Sequence, residues 1–329
     1  MKTDASTHSQ TPQNKTALSA LEPHGTRIVL RDLLRWQLAA PFIPLENHSN
    51  SSQLAGSRKS ALRGRGIDFD EVRLYQAGDD MRTVDWRVTA RTGKMHTKVF
   101  HEEKERPVLL VLDLRSGMHF GSKRCFKSVV AANAAALLAW AAIASGDRIG
   151  ALLISDHGIT DIKPQRSRHT LLQLFRQMIA LDKQHENSAA PATTVNWQQA
   201  MQQLRALVRP GACVIMLSDF HDWNTECQQA LHTVVRHGQC FAIHIHDALE
   251  KQLPAIGFVN LRSGNQKIAL DTLDKKLLLH YQQQRQQHYQ AVATAMRSLK
   301  IPLLAIQTDE AIFSALRQFF STRKTVEAL

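Results

Sequence analysis

Hydrophobic and polar positions change their pattern near residue 107. Upstream, apolar residues are scattered among charges and glycines; downstream, apolar runs alternate with amphipathic stretches. Val108 to Asp113 is a continuous apolar run of strand length closed by a carboxylate, as a strand buried on both faces requires. Lys127 to Ser145 predicts a helix, ended by Gly146. Arg148 to Ser155 predicts the next strand, and Asp156-His157-Gly158 a hairpin turn into Ile159 to Lys163. Ser167 to Leu181 is amphipathic, with Leu171, Leu174, Phe175, Met178 and Ile179 inward. Trp197, Met201, Leu204 and Val208 mark a further helix, stopped by Pro210-Gly211 before the apolar strand Ala212 to Leu217.

Thr225 with Gln228 has the spacing of a capping box, and Gly238 suits the end of that helix. Phe241 to His246 is a strand, and Gly257 to Asp271 a hairpin around Gly264-Asn265. A long helix follows through Leu278, Tyr281, Arg285, Tyr289, Val292, Met296 and Leu299. Ile301 to Gln307 is the final strand, and Asp309 is placed to cap the closing helix. Alternation of this kind predicts an α/β fold, a Rossmann-like doubly wound, mostly parallel sheet. Ligand sites in such sheets lie beyond the carboxyl ends of central strands. Asp113 and Asp219 both stand there.

Ahead of this domain lies Thr26 to Pro44, where Val29, Leu33, Trp36 and Ala40 share one helical face and Arg27, Arg31 and Arg35 another. Such a stripe docks on the protein's own core or lies flat on a membrane. Residues 45 to 62 are polar and read as a linker. Arg63 to Arg91 is dense in charge and punctuated by glycines and aromatics; Asp79 or Asp80 is placed to cap a short helix carrying Arg82, Trp86 and Arg91. Lys94 to His101 alternates like a strand and leads into the acidic cluster Glu102, Glu103 and Glu105. The expected organisation is a disordered arm over 1–25, a helix, linker and charged module over 26–106, and the α/β domain over 107–329.

Lys+Arg 41 against Asp+Glu 29 leaves a net charge of +12 among 329 residues, which favours nucleic acid, an anionic membrane or acidic partners. The densest local patch, Arg58, Lys59, Arg63 and Arg65, has no aromatic stacking partners and fits no DNA-binding motif. Cys125, Cys213, Cys227 and Cys240 form no C-x-x-C pair, so a reducing compartment is expected rather than zinc or a disulfide framework. The polar N-terminus has no apolar signal region. Val129 to Ala144 is apolar but short of the roughly 20 residues a spanning helix needs, and predicts a buried helix. The expected location is the cytoplasm, with peripheral contact at the inner membrane through 26–44 as the second placement.

Catalytic signatures are missing: no Gly-x-Ser-x-Gly elbow, no P-loop and no His-Glu-x-x-His. Asp79, Asp80 and Asp85 pair most simply with Arg73, Arg82, Arg87 and Arg91. His244 and His246 face one side of a strand, either as part of a half-buried face or as a metal pair without a third ligand, and His221 and Asp222 follow Asp219 as surface loop residues or outer groups of the presumed site.

Gly64, Gly66, Asp68, Phe69, Arg73, Tyr75, Gly78, Asp79, Asp80, Arg82, Asp85, Trp86, Ala90 and Arg91 form a fixed-spacing signature. It resembles that of the bacterial domain-of-unknown-function family fifty-eight, whose C-terminal half is von Willebrand factor A-like. The resemblance runs from about Gly56 to the C-terminus. It implies a non-enzymatic adaptor working with a MoxR-type AAA+ ATPase in chaperone-like maturation or stress response, the client being unnamed. Nucleic-acid or anionic-membrane binding is the alternative, and a metal-dependent hydrolase the third. Longer relatives carry N-terminal membrane helices.

Domains of the von Willebrand A type often hold a metal ion on Asp-x-Ser-x-Ser, a threonine and a second Asp. Here Arg115 and Gly117 occupy the two serine positions of Asp113-Leu114-Arg115-Ser116-Gly117. Asp219 matches the second Asp, and Thr193 or Thr194 the threonine. The expectation is no cofactor, or a magnesium ion on Asp113, Asp219 and Thr194, because magnesium needs oxygen ligands and two are missing. Arg115 is expected to lie between Asp113 and Asp219 as a fixed charge. The expected partner rim comprises Asp113, Arg115, Ser116, Thr194, Asp219 and His221.

Overall fold

The computed structural model describes residues 21–45, 67–76, 81–102, 105–187, 195–263 and 266–327. It divides into two compact units, Asn47–Glu105 and Met1–Glu46 with Arg106–Leu329. The boundary differs from the expected 26–106 module, because the N-terminal segment joins the large unit. Its helix α1 (Leu30–Arg35) and the 3-10 turns after it bury Leu33, Trp36, Ala39, Ala40 and Ile43 in the main core. Part of the expected arm is also ordered: Leu21 and Glu22 are buried, and Gly25 bridges to Cys125.

In the smaller unit, β1 (Ile67–Leu74) pairs antiparallel with β2 (His96–Glu102). The first of these was not expected as a strand, although its sequence alternates. Between them lies α2 (Trp86–Thr92), ended by Gly93 at φ 66. Asp85 caps it, accepting from the Arg87 and Val88 amides at 3.0 and 3.1 Å. That corrects the assignment to Asp79 or Asp80, which lie outside the described residues, as do Gly64, Gly66 and Gly78.

The large unit is built on β3 (Pro107–Asp113), α3 (Lys127–Ala144), β4 (Arg148–Ser155), β5 (Gly158–Gln165), α4 (Arg168–Asn187), α5 (Trp197–Leu207), β6 (Ala212–Ser218), α6 (Thr225–Val235) and β7 (Gly238–His246). It continues through α7 (Ala248–Lys251), the antiparallel hairpin β8 (Phe258–Ser263) and β9 (Gln266–Asp271), α8 (Lys275–Ser298), β10 (Leu303–Gln307) and α9 (Ile312–Glu327). The Gly264-Asn265 turn lies outside the described residues. Six strands form one sheet in the order β10-β7-β6-β3-β4-β5, parallel except for β5. Counted along the chain within this sheet, the order is third, second, first, fourth, fifth, sixth, the doubly wound arrangement of Rossmann-like sheets. Its switch point falls between β3 and β6.

Both faces of the sheet are covered. Val108, Leu110 and Leu112 of β3 pack with α1, α3, α4 and α9 on one side, while Leu109 and Val111 pack with α5, α6 and α8 on the other. The alternation explains why β3 reads as an unbroken apolar run. Helix α3 is buried through nearly its whole length, and alanine lets it approach the sheet closely. Its lone internal polar residue, Asn133, accepts from Trp36 Nε1 at 2.8 Å and donates to the Val129 carbonyl at 2.8 Å. Among the described residues, α3 is the one helix long and apolar enough to cross a membrane, and 89% of it is buried inside the protein.

Three caps differ from expectation. Asn224 caps α6, accepting from the Cys227 amide at 2.9 Å, and Thr225 is the first helical residue. Gly238 opens β7 rather than ending α6; a Cβ there would collide with the Ala212 carbonyl oxygen. Glu22, not Asp309, caps α9, accepting from the Ile312 and Phe313 amides at 3.0 and 3.2 Å. Asp309 pairs with Lys123 at 2.6 Å.

Candidate functional site

Strands β3 and β6 are hydrogen-bonded neighbours, so the residues at their carboxyl ends meet at the switch point. Ser218 ties the two ends together, donating from Oγ to Asp113 Oδ2 at 2.7 Å. The chain then turns sharply through Phe220, a fully buried residue at φ 52. The Phe220 amide donates to Ser218 Oγ at 2.8 Å and the His221 amide to Asp219 Oδ1 at 3.1 Å. A left-handed, non-glycine residue is held only where the surroundings over-determine it; here two side-chain acceptors and a stack on Trp197 do so.

Arg115 does not lie between Asp113 and Asp219. Its Nε and Nη2 donate to the two Asp113 oxygens at 2.9 and 2.7 Å. Its outer edge meets Asp222, with Nη1 at 3.0 Å and Nη2 at 2.8 Å, and Nη1 also donates to the Val195 carbonyl at 3.0 Å. All five guanidinium N–H donors are thereby used. Burial alone would lower its pKa, but Asp113 and Asp222 outweigh that and raise it. Asp222, which burial would raise, is held below the usual carboxylate range by Arg115.

Asp219 has a different cation. Lys127, the first residue of α3, brings Nζ to 2.6 Å from Asp219 Oδ2 and 2.6 Å from Glu250 Oε1. Its side chain is 1% exposed. Burial acts to lower the Lys127 pKa and to raise that of Asp219; the pairing reverses both directions. Glu250 is shared with Arg285 at 3.1 Å, and its other oxygen accepts from the Asp247 amide at 3.0 Å. The two aspartates converge as expected, but each is neutralised separately.

The loop after β3 is pinned from outside. The Ser116 amide and hydroxyl donate to Asp156 at 2.8 and 3.3 Å. His119 stacks on His185 at 3.7 Å and meets Asp182 at 3.2 Å. Ser116, Gly117 and His221 are exposed above this charged floor, and the His221 ring is 6.1 Å from that of His288. Thr194 lies outside the described residues. Arg73, Tyr75, Arg82, Asp85, Trp86 and Arg91 belong to the smaller unit with the backbone positions of Asp68 and Phe69; Trp86 there is 63% exposed.

These donors do not fit a magnesium ion. Both Asp113 oxygens are taken by Arg115 and Ser218, and both Asp219 oxygens by Lys127 and the His221 amide. Positions 115 and 117 offer no hydroxyl. Among the described residues, no group of three or more His, Cys, Asp or Glu is arranged to hold a metal, so His244 and His246 gain no third ligand.

Sequence reasoning missed Lys127 and Glu250 altogether, and Asp222 figured only as an outer group. The available signal was Lys127 itself, a single cation opening an apolar helix. A cation at a helix N-terminus opposes the helix dipole, so its presence implies carboxylate partners.

A sequence model of the family described as "Protein of unknown function DUF58" matches residues 71–291. The chain belongs to that family. It is 28% identical over 279 residues to the uncharacterized protein Rv1480 of Mycobacterium tuberculosis, a match spanning 82% of this chain and 84% of that protein. Among solved structures, the conserved hypothetical protein BatB from Bacteroides thetaiotaomicron is similar over 67% of this chain and 99% of its own, at 11% identity and TM-score 0.39. A von Willebrand factor type A structure from Catenulispora acidiphila is similar over 46% of this chain and 35% of its own, at 11% identity and TM-score 0.33.

Proposed function

We propose that this protein is a non-enzymatic scaffold whose switch-point rim, Ser116, Gly117, His221 and Asp222 over a floor of Asp113, Arg115, Lys127 and Asp219, docks a protein partner. The observation that carries the reading is the internal neutralisation of that floor. Arg115 and Lys127 occupy the carboxylates a reaction centre or a metal would need. Buried charges matched in this way hold a surface in one shape and leave neither Asp113 nor Asp219 free to act as a general base. The partner we infer is a MoxR-type AAA+ ATPase, on the family resemblance of the signature segment. Purified partner and scaffold should co-elute in ATP. Ser116→Arg with His221→Glu, both at exposed positions, should abolish co-elution at a small cost in stability, since the Ser116 amide still holds Asp156 when the hydroxyl is lost; full retention by that double variant rules the rim out.

A second reading has its own observation. Around α1, Leu30, Leu34, Leu38 and Phe42 are 40%, 38%, 71% and 53% exposed at four-residue spacing, and Arg31 beside them is largely exposed. An apolar row with cations beside it suits an anionic membrane surface. Sedimentation with vesicles rich in phosphatidylserine tests it: Leu38→Glu with Phe42→Glu should abolish binding, and absence of binding by the unaltered protein at low salt removes the reading.

A further inference from the structure

The smaller unit carries a surface that the rim does not use. Helix α2 has two sides of different character. Val88 and Thr89 are half-buried, and the His96 amide donates to Thr89 Oγ1 at 3.0 Å, so this side is held against β2. Trp86, Arg87, Ala90 and Arg91 form the outward side, and all four are exposed. Residues four apart on a helix are neighbours, so these make two parallel rows. Trp86 and Ala90 are one row; Arg87 and Arg91 are the other, followed by exposed Lys94 just past the helix end.

The folding of the unit explains neither row. Trp86 is 63% exposed, although an indole is among the largest apolar groups a small core can bury. Asp85 caps the helix through the Arg87 and Val88 amides, and Gly93 ends it, with no part played by the Trp86 ring. Among the described residues, Arg87, Arg91 and Lys94 make no ion pair. Three unneutralised cations therefore stand beside one open aromatic ring, and Ala90 next to it is too short to cover it.

Magnitudes choose between the ligands such a surface could take. A stable protein contact buries roughly 800 Å² on each side, whereas α2, with 7 residues, is only about 10 Å long. A helix lying in a membrane surface needs a row of large apolar side chains, and the outward side of α2 has one, Trp86. Single-stranded nucleic acid needs neither: a ring stacks on a base while cations follow the phosphates. The net charge of +12 on the whole chain draws such a strand in.

We propose that the outward side of α2 binds single-stranded nucleic acid without regard to sequence, Trp86 stacking on a base and Arg87, Arg91 and Lys94 holding phosphates. No rim residue takes part, so Ser116→Arg with His221→Glu should leave this binding unchanged. Fluorescence anisotropy of a labelled oligothymidylate of about 20 nucleotides, longer than a single site, is followed as full-length protein is added. Trp86→Ala should weaken binding about ten-fold, one lost stack, and Trp86→Phe should keep most of the affinity. Arg87→Gln with Arg91→Gln should reduce the slope of log affinity against log salt by about 1.4, two contacts at about 0.7 each.

A strand of the same length without bases should bind the unaltered protein about ten-fold more weakly, a test of stacking that depends on no variant's folding. The proposal fails if the unaltered protein shows no binding up to about 100 µM, the weak end of non-specific affinities. It fails equally if the strand without bases, or polyglutamate of the same charge, binds as tightly as the oligothymidylate, since charge alone would then suffice. Unchanged binding by Trp86→Ala, or an unchanged salt slope in the arginine variant, overturns it as well. Sedimentation with phosphatidylserine vesicles that is lost in Trp86→Ala would assign this surface to a membrane instead.

Discussion

The ammonium of Lys127 lies 2.6 Å from the Asp219 carboxylate, at the N-terminal end of a helix whose dipole repels it. Ninety-two positions separate the two residues along the chain. Their pairing, with Glu250 completing it, joins the head of α3 to the end of β6 and to α7.

Removing the cation alone leaves the buried Asp219 carboxylate without a cation and Glu250 with Arg285 alone. Lys127→Met should cost about 3–5 kcal/mol, the range for breaking a buried pair from one side. Adding Asp219→Asn should recover part of the loss. Urea unfolding at neutral pH checks both; a cost below about 1 kcal/mol would show that solvent reaches the pair.

Metal binding should be recoverable by design. The unaltered protein should show no thermal shift with magnesium, because Arg115 and Lys127 hold the oxygens it would need. Arg115→Ser with Gly117→Ser restores two hydroxyls, and a Cβ at 117 fits 3.7 Å from Asp219 Oδ2. Combined with Lys127→Ala, these changes should confer a magnesium-dependent rise in Tm that grows with concentration. A clear magnesium shift in the unaltered protein would contradict the fixed-charge floor.

Stability should fall on mild acidification. His244 is neutral when folded, its pKa lowered to about 3 from 6.5, so between those limits the unfolded chain binds more protons. The contribution is complete above pH 6.5 and declines as pH drops toward 3, at roughly 1.4 kcal/mol per unit in the middle of that window. His246 and His288 are lowered as well and act in the same direction. Comparing urea midpoints at about pH 7.5 and 5 tests this: His244→Phe should flatten the dependence, and an unchanged slope would assign it elsewhere.

Glu22 ties the N-terminal segment to the last helix. Glu22→Ala should cost about 1–2 kcal/mol by removing the acceptor for the Ile312 and Phe313 amides. Glu22→Gln should cost less, since an amide oxygen still accepts. Unfolding midpoints decide, and equal values for both variants would mean that α9 does not depend on this cap.

Much of the fold was legible because buried parallel strands and amphipathic helices impose different periods. Val108 to Asp113 and Ala212 to Leu217 were read as strands from apolar continuity alone, and they form the centre of the sheet. Caps fared worse. Thr225 and Asp309 had the right residue types near helix starts, yet Asn224 and Glu22 hold those ends. A local pattern finds candidates for a cap but not the one the chain path delivers, and Glu22 arrives from 290 positions away. The strand β1 was overlooked because its alternation is dominated by charge.

The sequence by itself determined the order of strands and helices and the delivery of Asp113 and Asp219 to one edge, since apolar periodicity and chain order suffice for both. Which cation meets which carboxylate was decided only in three dimensions. Arg115 finds Asp222 across 107 positions and Lys127 finds Asp219 across 92. Charge pairing depends on distances of a few ångström between side chains, and no local pattern carries that information across a folded sheet.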